Sequence, residues 1–255
     1  MSIREPAHGA AGFVPERVAE HLVAWLRQRA DEAGATGAVV AISGGVDSAV
    51  AAALCRRAFP QTTLGLVLPC HSHPQDTADA ERVCLTLEIT YTTVVLDAVY
   101  DALAAALGTS PQFSPHPVAL ANLKPRLRMT TLYYFANRLN RLVVGTGNRS
   151  EAYVGYFTKY GDGGVDVQPL ANLVKSEVRA LAEHLGVPPD IIHRTPTAGL
   201  WPGQTDEDEM GLTYAALDSY LQSGEAPPAV RERIEQLHRA SEHKRRTPPI
   251  ADIPR

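Results

Sequence analysis

Ala41-Ile42-Ser43-Gly44-Gly45-Val46-Asp47-Ser48 joins an apolar run, Ala38 to Ile42, to a segment rich in helix formers, Ala49 to Ala58. A glycine loop between a strand and a helix is suited to holding an anion. The two glycines let the backbone bend and approach a ligand with no Cβ in the way, and the following helix offers unpaired N–H groups and the positive end of its dipole. Ser43 and Ser48 add hydroxyl donors, and Asp47 is a hard carboxylate able to hold Mg²⁺ against phosphate oxygens. The stretch lacks the Gly-Lys-Ser/Thr of a Walker loop and the G-x-G-x-x-G of a dinucleotide fold.

Working outward, three further apolar runs follow: Thr63 to Leu68, Tyr91 to Leu96 and Leu142 to Val144. Continuous rather than alternating apolarity predicts strands buried on both faces of a parallel sheet. Helical patterns lie before and between them. Val18, Leu22, Trp25 and Leu26 share one face, Ala78 to Leu87 follows Pro74, and a longer helix is expected from about Leu120 to Asn140. Alternating strands and helices predict an α/β fold, an open and mostly parallel sheet with helices on both faces, Rossmann-like in build.

The second half reads as helices and loops. Ser176 is a candidate cap for a helix with Val178, Leu181, Ala182 and Leu185 on one face, ended by Gly186, Pro188 and Pro189. Arg194 to Glu209, with Pro196, Gly199, Pro202, Gly203 and a cluster of acids, predicts a long mobile loop. Helices are expected near Tyr214 to Gln222 and Ala229 to His243. The chain is read as one domain over residues 1–255, with an N-terminal tail over 1–15, the mobile loop over 194–209 and a C-terminal tail over 247–255.

Composition narrows the function classes. At 255 residues the chain can bury roughly 72% of its unfolded surface, so a full core needs no disulfide or metal staple. Lys+Arg 24 against Asp+Glu 28 gives a net charge of −4, without the basic field that binds nucleic acid nonspecifically. Cys55, Cys70 and Cys84 form no metal-ligand spacing, and their odd number fits a reducing compartment. No run reaches the length of a membrane span. Arg4, Glu5 and His8 precede any sustained apolar run, unlike a secretory leader, so a cytoplasmic location is expected.

The strand-Ser-Gly-Gly-Val-Asp-Ser-helix arrangement resembles the pyrophosphate loop of the ATP pyrophosphatase superfamily, of the adenine nucleotide alpha-hydrolase-like fold. Val144-Gly145-Thr146-Gly147-Asn148-Arg149-Ser150-Glu151 and Gly155-Tyr156-Phe157-Thr158-Lys159-Tyr160-Gly161-Asp162-Gly163-Gly164-Val165-Asp166 resemble the signature of the NAD synthetases within it. Asn122 to Met129, Pro196-Thr197-Ala198 and Glu242-His243-Lys244-Arg245 resemble three more of that family's blocks, in order. The resemblance covers Val39 to Arg246. It implies ATP-dependent amidation of deamido-NAD⁺ to NAD⁺, with AMP and pyrophosphate released. It also implies a set of site residues: Ala41, Ile42, Ser43, Gly44, Gly45, Val46, Asp47, Ser48, Thr146, Lys175 and Thr197 for ATP, and Asp47 and Glu151 for Mg²⁺. Asp47, Lys175 and Glu151 are the catalytic group, and Arg126, Lys159, Asp166, His243 and Lys244 are the substrate group. By the same resemblance a homodimer completes the dinucleotide site.

At Lys175 the residues support this independently: a cation at a helix N-terminus is unfavourable unless an anion is nearby. Two stretches depart from the family pattern. Gly147-Asn148-Arg149-Ser150 replaces the Asp-His-Ala-Ala of some bacterial members, and Pro69 to Asp76, with Cys70, His71 and His73, has no counterpart. Two histidines without a third ligand predict solvent exposure rather than metal. Glutamine-dependent relatives carry an extra amidase domain for which 255 residues leave no room, so ammonia is the expected nitrogen donor. Arg194 to Glu209 is expected to act as a lid. The rivals are a tRNA-modifying pyrophosphatase, which would want paired reactive cysteines and a basic surface, and a non-catalytic nucleotide-binding module.

Overall fold

The structure, a computed structural model, describes residues 12–108, 116–201 and 203–253. Residues 1–11 of the expected N-terminal tail, 254–255 of the C-terminal tail and Pro202 lie outside the described residues.

In chain order the first elements are α1 (Pro15–Ala33), β1 (Ala38–Ala41), α2 (Val46–Ala58), β2 (Thr63–Val67), α3 (Pro74–Thr86), β3 (Tyr91–Thr93) and α4 (Asp97–Gly108). Next come α5 (Pro117–Ala121), α6 (Leu123–Leu139), β4 (Leu142–Val144), α7 (Arg149–Val154) and α8 (Lys175–Leu185). The chain ends with α9 (Pro189–Ile192), α10 (Asp206–Met210), α11 (Tyr214–Ser223), α12 (Pro228–Ala240) and α13 (Glu242–Arg245). The strands form one parallel sheet in the order β3-β2-β1-β4, with Ala38 opposite Thr63 on one side and Leu142 on the other.

Each inner strand is covered on both sides, so its residues alternate between two cores. From β1, Ala38 and Val40 join a core with Leu26 of α1, Val50 and Leu54 of α2, Val83 of α3 and Leu181 of α8. Val39 joins the opposite core with Leu66, Val143 and Leu132 and Ala136 of α6. A third cluster holds the C-terminal helices together through Tyr153, Val174, Leu217, Leu221 and Ile234. Among the described residues no helix is long and apolar enough to cross a membrane.

Four expectations need correction. Tyr91 to Leu96 is not a strand buried on both faces: β3 stops at Thr93 and lies half-exposed at the sheet edge, and Val94 and Leu96 turn into the core beyond it. The single helix from Leu120 to Asn140 is two, α5 and α6, broken at Asn122. Ser176 is not the cap of α8, because the helix begins two residues earlier than such a cap would set, with Val174 at the cap position. The loop expected to reach Glu209 ends at Thr205, whose hydroxyl accepts the Asp208 N–H at the start of α10.

Candidate active site

The chain enters the sheet at β1, runs outward to β2 and β3, then returns to β4 on the other side of β1. In open parallel sheets such a reversal leaves a crevice beyond the carboxyl ends of the two strands, where ligands bind. The Ser43 to Ser48 loop follows β1, and Gly145-Thr146 follows β4. Both border a cavity of about 470 Å³.

The loop after β1 is braced from within. Ser48 Oγ donates to the Gly45 carbonyl at 2.9 Å and accepts the Ser43 N–H at 3.1 Å, and the Gly45 N–H reaches Ser43 Oγ at 3.3 Å. Ser48 therefore shapes the cradle and its proton is already committed. Gly45 caps α2 without a side chain, so no side-chain acceptor covers the first-turn amides, and Gly45, Val46, Asp47 and Ser48 line the cavity. Gly44 does something different. Its φ is +81°, and a Cβ there would stand 2.9 Å from both the Asp76 carbonyl and Asp79 Cβ, so the glycine lets α3 press against the loop.

Lys175 lies at the first turn of α8 and is only 2% exposed. Its Nζ donates to Asp47 Oδ2 at 2.5 Å and to Glu151 Oε1 at 3.4 Å, and faces the Tyr214 ring at 4.8 Å. Asn148 steadies both acids: its Nδ2 donates to Asp47 Oδ1 at 2.8 Å, and its backbone N–H to Glu151 Oε2 at 3.2 Å. Burial works against the ammonium of Lys175, yet the charges of Asp47 and Glu151 outweigh it and hold the pKa above the usual lysine value. For Glu151, burial and then the charge of Asp47 push the carboxyl up to about 8 in spite of Lys175.

The first turn of α8 is held in place from α11. Asp218, 5% exposed, accepts the Ser176 N–H at Oδ2 (2.7 Å), and at Oδ1 the Lys175 N–H (3.3 Å) and the Ser150 hydroxyl (2.6 Å). A carboxylate from another helix thus supplies the cap expected of Ser176. Beside it, Tyr214 Oη lies 2.8 Å from Asp206 Oδ2 and 3.2 Å from Glu151 Oε1, and its single proton serves one of them at a time.

Of the expected ATP residues, Ala41, Ile42, Ser43, Gly45, Val46, Asp47, Ser48, Thr146, Lys175 and Thr197 line the cavity, as do Glu151 and Lys244. Gly44 lies behind the wall. Lys244 is half-buried, and its Nζ donates to the Gly155 and Phe157 carbonyls at 2.8 Å each, so Glu242 to Arg246 is no purely solvated charge run. Gly155 permits that approach: its φ is +72°, and a Cβ would overlap Ser241 at 2.1 Å. Arg126, Lys159, Asp166 and His243 stand outside the lining. Arg126 reaches the Lys159 carbonyl at 3.4 Å, and Lys159 donates to the His243 carbonyl at 2.7 Å, so these three meet on one surface. Asp166 accepts the Tyr133 hydroxyl at 2.9 Å and the Val143 N–H at 2.8 Å. His71 and His73 are exposed. His71 Nε2 is 2.7 Å from Asp101, and His73 Nδ1 caps α3 by accepting the Gln75 N–H.

A model of the NAD synthase family matches residues 18–248. The chain belongs to that family. Among NAD synthase relatives, the NH(3)-dependent NAD(+) synthetase of Carboxydothermus hydrogenoformans is 51% identical over 92% of this chain and 97% of its own length. That of Archaeoglobus fulgidus is 44% identical over 93% and 97%. Among solved structures, an NMN synthetase from Francisella tularensis aligns with TM-score 0.89 at 40% identity, covering 95% of this chain and all of that one. An NH3-dependent NAD synthetase from Campylobacter jejuni aligns with TM-score 0.78 at 28% identity, over 94% and 100%.

Sequence reasoning missed Asn148, Asp206, Tyr214 and Asp218 as parts of this NAD synthase site. The Thr205-Asp206-Glu207-Asp208 run, a helix-start pattern, could have separated Asp206 from the loop acids. For Asn148 the signal is the Asn-x-x-Glu spacing to Glu151, a helix-capping pattern, whereas nothing local marks Tyr214 and Asp218.

Proposed function

We propose that this chain is an ammonia-dependent NAD synthetase, converting deamido-NAD⁺ to NAD⁺ at the expense of ATP. The observation that supports this best is the placing of Lys175 against Asp47 and Glu151, which brings the loops after β1 and β4 together at one cavity. A carboxylate is a poor electrophile, and its hydroxide is not a usable leaving group near neutral pH. In the proposed reaction the nicotinate carboxylate attacks the α-phosphorus and pyrophosphate leaves. Ammonia then attacks the acyl carbon, giving the amide, and AMP departs. The loop amides and Lys175 position and neutralise the phosphates.

The donor set fits Mg²⁺. Two hard carboxylates flanking a phosphate cradle are what this ion usually takes from protein, the remaining ligands being phosphate oxygens and water. Among the described residues no three His, Cys, Asp or Glu side chains are placed around one point as an all-protein metal cage. Asp47 and Glu151 would hold the ion, and it would add charge neutralisation on the triphosphate. Asp47→Asn keeps the shape and removes the charge. Turnover should collapse with the fold intact, and near wild-type activity at low Mg²⁺ would remove Asp47 from the ligand set.

The position of Arg126, Lys159 and His243 outside the cavity suits a dinucleotide site completed by a second subunit, and sedimentation should find a homodimer. Residues 194–209 are proposed to close over the acyl-adenylate, which water would otherwise hydrolyse. The likeness to the Francisella tularensis NMN synthetase favours a second substrate reading, amidation of nicotinic acid mononucleotide. One assay tests both. With Mg-ATP and ammonium, deamido-NAD⁺ should give NAD⁺, AMP and pyrophosphate in equal amounts and outpace the mononucleotide in kcat/KM. A reversed preference selects the second reading, and ADP or no turnover with either substrate overturns both. Ammonia-free glutamine should not serve as nitrogen donor.

A further inference from the structure

One acid in the cavity wall has no role in the scheme above. Asp206 is only 4% exposed and lines the cavity, and its two oxygens differ. Oδ2 accepts the Tyr214 hydroxyl at 2.8 Å. Oδ1 is buried with no hydrogen-bond partner among the described residues. A buried carboxylate oxygen left without a donor is costly, and its persistence points to a partner that arrives from outside.

The neighbouring groups define what that partner is. The Lys175 ammonium is engaged by Asp47, Glu151 and the Tyr214 ring, so it does not serve Oδ1. The Tyr156 hydroxyl is shared between two acids, lying 2.5 Å from Glu209 Oε2 and hydrogen-bonding Asp206 more weakly, so while its single proton is on Glu209 it offers this spot lone pairs. Glu209 Oε2 also takes the Gln204 amide at 2.6 Å. The position thus presents acceptors and negative charge and no free donor. A small cation carrying several N–H donors matches it. A metal ion shared with Asp47 and Glu151 matches poorly, since those three carboxylates are not gathered around one point.

We infer that Asp206 Oδ1, with Tyr156 Oη beside it, binds the ammonium ion, which gives up one proton to solvent and then supplies the amide nitrogen as ammonia. This rests on the amidation reading and assigns it a nitrogen subsite at the acid that shares the Tyr214 hydroxyl with Glu151. Near neutral pH free ammonia is mostly ammonium, so a buried anion concentrates the form that dominates in solution.

The test is Asp206→Asn, which keeps the oxygen facing Tyr214 and puts an amide donor where Oδ1 was. Initial rates are measured for wild type and variant against ammonium, ATP, deamido-NAD⁺ and Mg²⁺. Expected is a rise in KM for ammonium of about ten- to hundred-fold, the loss of one charged hydrogen bond, with kcat at saturating ammonium and the other three dependences within about twofold. Asp206→Ser, which removes the charge with a smaller side chain, should show the same split. An unchanged ammonium KM overturns the assignment, as does a shift in the Mg²⁺ dependence alone. An inactive wild type with any nitrogen donor would instead indict the amidation reading.

Discussion

Replacing Lys175 with Met removes the buried cation that Asp47 and Glu151 share. The side chain is 2% exposed and the two contacts are 2.5 and 3.4 Å, so solvent cannot take over its role. Breaking a buried ion pair from one side costs about 3–5 kcal/mol, because the remaining charge is left uncompensated. In urea that is a fall of about 1–2 M in the unfolding midpoint for a chain with a slope near 3 kcal/mol/M. The loss should depend on pH in a definite direction. Glu151 in the folded protein is already pushed up to about 8 from 4.5, so the native state keeps a proton that the unfolded chain has released. Its favourable contribution is complete below about pH 4.5 and is lost as pH rises through 8. Without Lys175 the folded pKa moves higher still, so the variant should lose more at pH 8.5 than at pH 6, where protonation substitutes for the missing cation. Urea unfolding followed by circular dichroism at both pH values checks this. A variant within about 0.5 kcal/mol of wild type at pH 8.5, or an equal loss at both pH values, refutes the reasoning.

Gly44→Ala should cost about 1–2 kcal/mol for the left-handed backbone alone, lowering Tm by about 2–8 °C. It should also raise KM for ATP as α3 is pushed off the loop, and a thermal melt with an ATP titration reads both. The three cysteines are buried, with Cys55 and Cys84 pushed up to about 12 and Cys70 raised by burial, so a thiol reagent at pH 8 should find none until the chain is denatured. The same shifts make stability full below about pH 9 and decline as pH rises from there through 12, as the unfolded thiols ionise first. Trp201 is 40% exposed in the cavity wall, and Trp25→Phe leaves it as the sole indole. Mg-ATP with deamido-NAD⁺ should shift its fluorescence and protect residues 194–209 from protease, and no change in either would dispose of the lid.

The strands were legible because a doubly covered sheet needs uninterrupted apolar runs, and β1, β2 and β4 have them. Tyr91 to Leu96 carries the same signal, yet its apolar residues are spent partly beyond the strand, a distinction that apolarity alone does not encode. The phosphate loop was legible because its chemistry is local: glycines, a helix start and an acid within eight residues. Lys175 was half-legible, through the mismatch between a cation and a helix N-terminus. Asp206, Tyr214 and Asp218 were not, because their roles depend on which chain segments meet, and an acid at a helix start looks the same whether it faces water or a ligand. The Ser176 cap failed for the same reason, since the cap of α8 comes from α11.

That borrowed cap has a consequence for how the protein loses activity. Lys175 sits on a helix packed against α1 and α2, but the amides that fix its first turn answer to Asp218, in the cluster of C-terminal helices around Leu217 and Ile234. Proteins open in parts, and peripheral helices open at lower free energy than a central parallel sheet. If α11 and α12 detach as such a unit, the lysine is released while β1 and β2 keep their amides protected from hydrogen exchange. Inactivation and unfolding are then separate events, and mild heat should produce a chain that has lost its chemistry while its central sheet still exchanges slowly.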